Sequence, residues 1–287
     1  MKISLRQKFH LMASSAIMLA AIGCGKVGGG AGVVPDVTFI PAGAEETSAS
    51  GGDSAEAGAT AYGSFKGRVV LTATVPALPL IVKQGAEIKD KEVCAAVDVP
   101  DERLVVSADG GVANAFVYLS KAPKGGKPPA SAADPFMFDQ KNCRFFPHSV
   151  VLPVNTVVRV LSNDSVAHNT HTYPAKNQSV NSGVAPMDRD GKLEIVYRKS
   201  ESVPLAVKCD YHAWMNAWHL PLDHPYACVT DENGGFSIPD LPAGQHTFVV
   251  WHEAANGNFV QRKLAVEIKP GEETDLKIEY PVDLLKL

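Results

Sequence analysis

From Tyr62 onward the chain reads as short runs of alternating apolar and polar residues, cut by Gly, Pro, Asn and Asp. Residues 65–74, 113–119, 149–152, 156–161, 204–208, 235–238, 246–251, 263–268 and 274–279 are of this kind, and Val, Ile, Thr and aromatics are frequent in them. Successive side chains of a strand point to opposite faces, so this pattern predicts half-buried strands. No long stretch follows the 3.6-residue period of a helix. The reading is therefore all-β, a sandwich or a barrel. Asp231, Asn233 and Gly234 suit a tight hairpin, Pro242-Ala243-Gly244 a second turn, and residues 121–130 (KAPKGGKPPA) a loop.

The first sixty residues differ. Lys2, Arg6 and Lys8 open the chain, and an apolar run follows over residues 11–22. That run is about half of the ~20 residues a membrane-spanning helix needs. A positive start and a short apolar core predict a secretory leader, residues 1–23, that is removed from the mature protein. Ala21-Ile22-Gly23-Cys24 resembles a bacterial lipoprotein cleavage box, which implies lipidation of Cys24 and membrane attachment through acyl chains. Gly25 rather than Asp follows the cysteine, which favours the periplasmic side of the outer membrane over the inner one. Residues 24–61 are rich in Gly, Ala, Ser and Glu and lack apolar periodicity, the composition of a flexible tether.

Composition narrows the classes. In 287 residues, hydrophobics at 45% and charged residues at 20% exclude wholesale disorder, and the length allows two compact domains. The formal charge is −4, and no basic face emerges, so no nucleic-acid partner is expected.

The chemistry is concentrated in one stretch. Six of the nine histidines lie between His148 and His224. Within it, Cys209, His212 and Met215 form C-x2-H-x2-M just after the strand-like run 204–208. A thiolate and an imidazole bind copper strongly in a trigonal plane, and a thioether serves as a weak axial ligand. A second imidazole must come from elsewhere in the chain.

At these residues the block 131–225 resembles the cupredoxins, the type 1 (blue) copper proteins, with a ligand loop of the amicyanin spacing. The upstream His168-Asn169 completes the resemblance, about 40 residues before Cys209. It implies a Greek-key β-sandwich and one type 1 copper held by His168, Cys209, His212 and axial Met215. It also implies that Asn169 ties the two ligand loops together. Electrons would pass through the His212 edge, near the surface under an apolar patch. Residues 62–130 and 226–287 resemble the carboxypeptidase-regulatory-like (transthyretin-like) sandwich, through the T-D-x-x-G-x-F and L-P-A-G segments at 230–244. The copper block is expected to be inserted in, or to lie next to, that sandwich. The whole arrangement resembles predicted surface lipoproteins of planctomycete-type bacteria.

The cysteines leave alternatives. With Cys24 lipidated, four remain, which in an oxidising compartment allow two disulfides. Cys94 and Cys143 flank the join between the two blocks and form one expected pair. A second pair, Cys209 with Cys228, would leave His212 and Met215 at ligand spacing without a purpose, so Cys228 is read as a buried strand thiol. His148 and His171 are candidates for an extra metal position, against a plain hydrogen-bonded role. Core packing is the default for Trp214 and Trp218, and covering the copper loop is the functional alternative.

The expected function is one-electron Cu(I)/Cu(II) transfer to a redox partner protein of the cell envelope. The alternative is an envelope structural or interaction lipoprotein whose copper module binds or stores the metal. An enzyme is not expected. The H-x-H pairs and H-C-H segment of multicopper oxidases are missing, only one cysteine stands in the ligand loop, and no G-x-S-x-G occurs.

Overall fold

A computed structural model describes residues 61–130 and 133–287. The expected leader, almost the whole tether and Cys24 lie outside the described residues. The strands in chain order are β1 Tyr62–Leu71, β2 Phe116–Leu119, β3 Phe136–Lys141, β4 Arg144–Phe146, β5 Ser149–Pro153, β6 Val157–Val160, β7 His168–Tyr173 and β8 Asn181–Val184. They continue with β9 Leu193–Val196, β10 Leu205–Lys208, β11 Asn216–Leu222, β12 Ala227–Val229, β13 Gly235–Pro242, β14 Gly244–Trp251, β15 Phe259–Ile268 and β16 Glu273–Tyr280. One short helix, α1 Lys91–Cys94, lies between β1 and β2. The protein is an all-β fold.

Two layered cores account for most of it. In the first, the sheet β13-β1-β16 faces the sheet β12-β2-β14-β15. Along β1, Phe65, Val69 and Leu71 turn inward while Lys66 and Arg68 turn out, the alternation visible in the sequence. They meet Val117 and Leu119 of β2, Phe248 and Val250 of β14, and Ile278 and Tyr280 of β16 in one core. In the second, β5-β11-β10-β7-β8 faces β4-β3-β6-β9. Phe138, Phe145, Val158 and Ile195 of one sheet pack against Leu152, Val184, Val207 and Ala217 of the other. The chain thus leaves the first layered pair after β2 and returns to it at β12. The two pairs meet through Phe116, Tyr118, Leu220, Leu222, Val249 and Trp251, with Trp218 against Trp251 at 4.8 Å.

The hairpin expected at Asp231–Gly234 is a corner instead, and the second expected turn, at 242–244, is also a corner. The turn at Asp231 joins β12 to β13, which lie in opposite sheets, and Ala243 likewise joins β13 to β14. The turn chemistry holds: Asp231 Oδ1 accepts the N–H of Asn233 and of Gly235, each at 2.8 Å. Gly234 sits at φ +76°, and a Cβ there would lie 2.4 Å from the carbonyl oxygen of Val69. A turn that carries the chain across a sandwich uses the same residues as a hairpin, so local sequence does not separate the two.

The connection from β1 to β2 bears on the site. It crosses to the end of the second layered pair, where Val82, Ala95 and Val99 pack with Trp214. Cys94, at the end of α1, is joined by a disulfide to Cys143 in the β3–β4 turn. Val82 and Val99 bridge to each other, so this strap is closed on itself as well as stapled.

Candidate metal centre

Two neighbouring strands aim the donors at one point. β10 runs antiparallel to β7, with Lys208 opposite His171, so Cys209, just past β10, comes beside the start of β7, where His168 lies. After Cys209 the chain turns tightly. The N–H of Met215 donates to the carbonyl of His212 at 2.9 Å, and the N–H of Cys209 to the carbonyl of Met215 at 3.2 Å. β11 then pairs back onto β10 from Asn216. A strand–loop–strand of this kind holds its loop side chains on a rigid base.

Nδ1 of His168 lies 3.1 Å from Nδ1 of His212, and Sγ of Cys209 lies 3.9 Å from Nδ1 of His212. All three side chains are buried, and their donor atoms lie within 4.8 Å of one another. Met215 is buried in the same core cluster as Cys209. The outer nitrogens are both tied to carboxylates. Nε2 of His168 donates to Asp164 Oδ2 at 2.8 Å, and Nε2 of His212 donates to Asp90 Oδ2 at 2.9 Å.

That pattern fixes the tautomers. A neutral imidazole that donates from Nε2 carries a lone pair on Nδ1. With both rings neutral, two such lone pairs would face each other here, next to a sulfur. Lone pairs at this distance repel unless a positive species lies between them, either a proton or a metal ion. The electrostatics favour the proton-loaded form. Burial pushes the Cys209 thiol up, but hydrogen bonds with His168 and His212 and from backbone N–H groups outweigh it and bring the thiol down to about 6. Burial pushes His168 down, but its bonds to Asp164 and Cys209 outweigh it and raise it to about 8. Against burial, Asp164 is held below the usual carboxylate range by His168 and by the N–H groups of Cys143 and Asn142.

The donor set fits a soft or borderline transition-metal ion. Imidazole nitrogens bind such ions at about 2 Å and thiolates at about 2.3 Å. Donors at those radii around one ion stand roughly 3–4 Å apart, the spacing found here. The carboxylates occupy the outer side of each imidazole and present no oxygen to the inner point. The donors are therefore two imidazole nitrogens and one thiolate sulfur, with a thioether nearby. Two further groupings of acid, cysteine and histidine side chains include Cys94 or Cys143, whose sulfurs are committed to the disulfide.

Asn169 bridges the loops. Its Oδ1 accepts the N–H of Asp210 at 2.6 Å, and its Nδ2 donates to Asp210 Oδ2 at 2.8 Å and Asn181 Oδ1 at 2.7 Å. His171 does not join the cluster. Three residues on from His168 along a strand, it faces the other side of the sheet, where Nδ1 meets Asp210, Asn181 and the hydroxyl of Tyr173. His148 is also elsewhere: its Nε2 pairs with Glu253 and its Nδ1 lies 3.8 Å from Glu102. Among the described residues, neither belongs to a group of three metal-competent side chains. Cys209 and Cys228 are both free thiols; Cys228 lies in β12 as expected but is half-buried rather than buried, and desolvation pushes it up to about 12.

Two expectations need correction. The His212 edge is not near the surface: the residue is 0% exposed, and Asp90 closes its Nε2 side. The physical reason is the strap, whose stapled helix α1 lies where an open patch was expected. Trp214 does cover the loop, with its ring 5.3 Å from His212 and its Nε1 donating to the carbonyl of Cys143 at 3.1 Å. Trp218 instead fills the junction between the two layered pairs. Sequence reasoning missed both anchoring carboxylates. Asp164 stands four residues before His168, a spacing with some local signal. Asp90 lies 122 residues from His212, and no local pattern connects them.

No family model matches the chain, and no curated protein matches it. Among solved structures, the chain is similar to a Cu-containing nitrite reductase from Thermus scotoductus, at 16% identity over 33% of this chain and 25% of that one, with a TM-score of 0.28. It is similar to a purple cupredoxin from Nitrosopumilus maritimus at 20% identity, over 30% and 99% of the two chains, with a TM-score of 0.25. It is also similar to amicyanin from Paracoccus versutus at 11% identity, over 37% and 97%, with a TM-score of 0.27. The chain thus spans a quarter of the nitrite reductase and nearly all of the other two. Likenesses this low carry no argument about chemistry, which has to come from the side chains.

Proposed function

We propose that His168, Cys209 and His212, with Met215 beside them, hold one copper ion, and that the protein carries single electrons. The observation that supports this most is the pair of buried imidazoles whose Nδ1 atoms face each other at 3.1 Å, with the Cys209 sulfur 3.9 Å from Nδ1 of His212. Such a set needs a proton or a metal ion between the nitrogens, and the neighbouring sulfur suits the metal. Copper, when bound, supplies the Cu(I)/Cu(II) couple.

The residues of this chain do the rest. β7, β10 and β11 fix the donors, so their positions change little between oxidation states. Asn169 keeps the two ligand loops in register through Asp210. Burial of the three donors excludes water and with it competing ligands. The redox partner is a second protein of the compartment that the leader addresses, and attachment through Cys24 would keep the copper module within its reach.

The test is spectroscopic. Protein loaded with Cu(II) is expected to show the intense visible absorption of a copper–thiolate bond, at one copper per chain. Cys209→Ser is expected to remove the colour while the protein stays folded. A colourless complex of the unaltered protein, or binding of zinc in strong preference to copper, would overturn the reading.

A further inference from the structure

Asp90 stands where a helix-capping residue stands, yet it does not cap. It occupies the N-cap position of α1, where Asp ordinarily accepts a backbone N–H of the first turn. No such side-chain bond exists here. The residue holds φ 56°, ψ 36°, a left-handed conformation uncommon outside glycine. Its carbonyl oxygen takes the N–H groups of Val93 and Cys94, and its carboxylate turns away from the helix to Nε2 of His212. The strap that carries it is stapled by the Cys94–Cys143 disulfide at the end of α1 and packed on Trp214 through Val82, Ala95 and Val99. The side-chain partner that the Asp90 carboxylate does have is a candidate ligand.

We infer that Asp90 is a positioning residue for the metal centre: it fixes His212 in the Nε2–H tautomer with Nδ1 turned inward, and its charge favours the oxidised, more positive ion. This rests on the copper reading. Two effects are separable in it. Orientation requires only an acceptor, because any oxygen that takes the Nε2–H leaves the lone pair on Nδ1. Charge requires the carboxylate, because an anion hydrogen-bonded to a ligand raises its basicity and stabilises Cu(II) over Cu(I). Asp164 plays the equivalent part for His168, but it also accepts the N–H groups of Asn142 and Cys143 and so holds a turn together. Asp90 has no such second duty for its carboxylate, which makes it the cleaner probe.

The experiment uses the full chain and three variants. Asp90→Ala removes acceptor and charge, and Asp90→Asn keeps an acceptor of nearly the same shape. Glu87→Gln removes one charge from the same strap, where Glu87 pairs with Lys91. Nitrogen-15 chemical shifts of the histidines are read in the metal-free protein, and Cu(II) affinity and reduction potential in the copper-loaded one. His212 is expected to be Nε2–H in the unaltered protein and in Asp90→Asn, with the Nδ1–H form growing in Asp90→Ala. Cu(II) affinity is expected to fall about 10–100-fold in Asp90→Ala, the range for loss of a ligand's hydrogen-bonding partner. The potential is expected to rise in both Asp90 variants and to stay put in Glu87→Gln. An unaltered protein whose His212 is Nδ1–H overturns the inference, as does an Asp90→Ala whose affinity and potential match the parent. If the parent gives no copper–thiolate colour, the copper reading fails, while the metal-free tautomers still decide the part assigned to Asp90.

Discussion

The stability of this fold is expected to fall steeply in mild acid, and His219 is the residue through which to see it. His219 of β11 is 0% exposed in the second layered core. Its Nδ1 accepts from the hydroxyl of Tyr197 at 3.1 Å, and its ring meets Phe138 edge-on at 4.5 Å. Its Nε2 has no hydrogen-bond partner among the described residues. Burial therefore disfavours the imidazolium and lowers the group from 6.5 to about 3. The sign follows from proton binding. Below 6.5 the unfolded chain takes up a proton that the native state refuses, so stability drops as pH falls from 6.5 toward about 3. Each unit is about 1.4 kcal/mol, so at pH 5 this one imidazole costs roughly 2 kcal/mol relative to neutral pH. Denaturant unfolding of metal-free protein at pH 7.5 and pH 5 measures the change. In His219→Gln, which keeps an acceptor for Tyr197, that share of the pH slope is expected to vanish whatever the variant's absolute stability. His252, lowered to about 4 by burial, adds a loss of the same sign, and His168, raised to about 8, acts in the opposite sense. Both cancel in the comparison. Equal slopes in parent and variant would mean that the His219 ring is not sealed from water.

Other perturbations test the frame. The Cys94–Cys143 disulfide spans 49 residues, and replacing both cysteines with alanine is expected to remove about 4 kcal/mol by the loop-entropy relation, measured by denaturant titration. Thr230 Oγ1 accepts from Ala115 N–H at 2.9 Å and donates to the carbonyl of Val112 at 2.7 Å. Thr230→Val keeps the shape and strands both partners, so a loss of about 1–3 kcal/mol is expected in the same titration. Gly234→Ala is expected to destabilise the corner between β12 and β13, because it combines a left-handed φ with a Cβ placed against backbone, and a melting temperature reads it.

Much of this was legible in the chain, and the gaps have physical causes. The short runs revealed β1, β2, β5, β6, β10 and β13–β16; β1, β6, β10 and β16 alternate between a core face and a more exposed one, while β2 is buried on both faces. They did not reveal β7, whose HNTHTY sequence is polar yet largely buried, since its buried faces hold the site and its hydrogen bonds. β8 and β9 are four residues each, too short for a period to be read. Cys209, His212 and Met215 stood out as candidates because thiol, imidazole and thioether within seven residues have few structural uses together, whereas His168, 41 residues upstream, entered only through the resemblance of His168-Asn169 to the cupredoxin pattern. The cover over His212 was not visible. It depends on Asp90 and Cys94, which come from a connection between strands of the other layered pair, and only the folded chain brings them to the ligand loop.

The most direct measurement is a crystal structure of the copper-loaded protein with anomalous data collected at the copper edge. One strong peak is expected, bonded to Sγ of Cys209 and to Nδ1 of both His168 and His212, with their Nε2 atoms still donating to Asp164 and Asp90. A peak bound through Nε2 of either histidine, copper held elsewhere on the chain, or Cys209 found in a covalent bridge to Cys228 would contradict it.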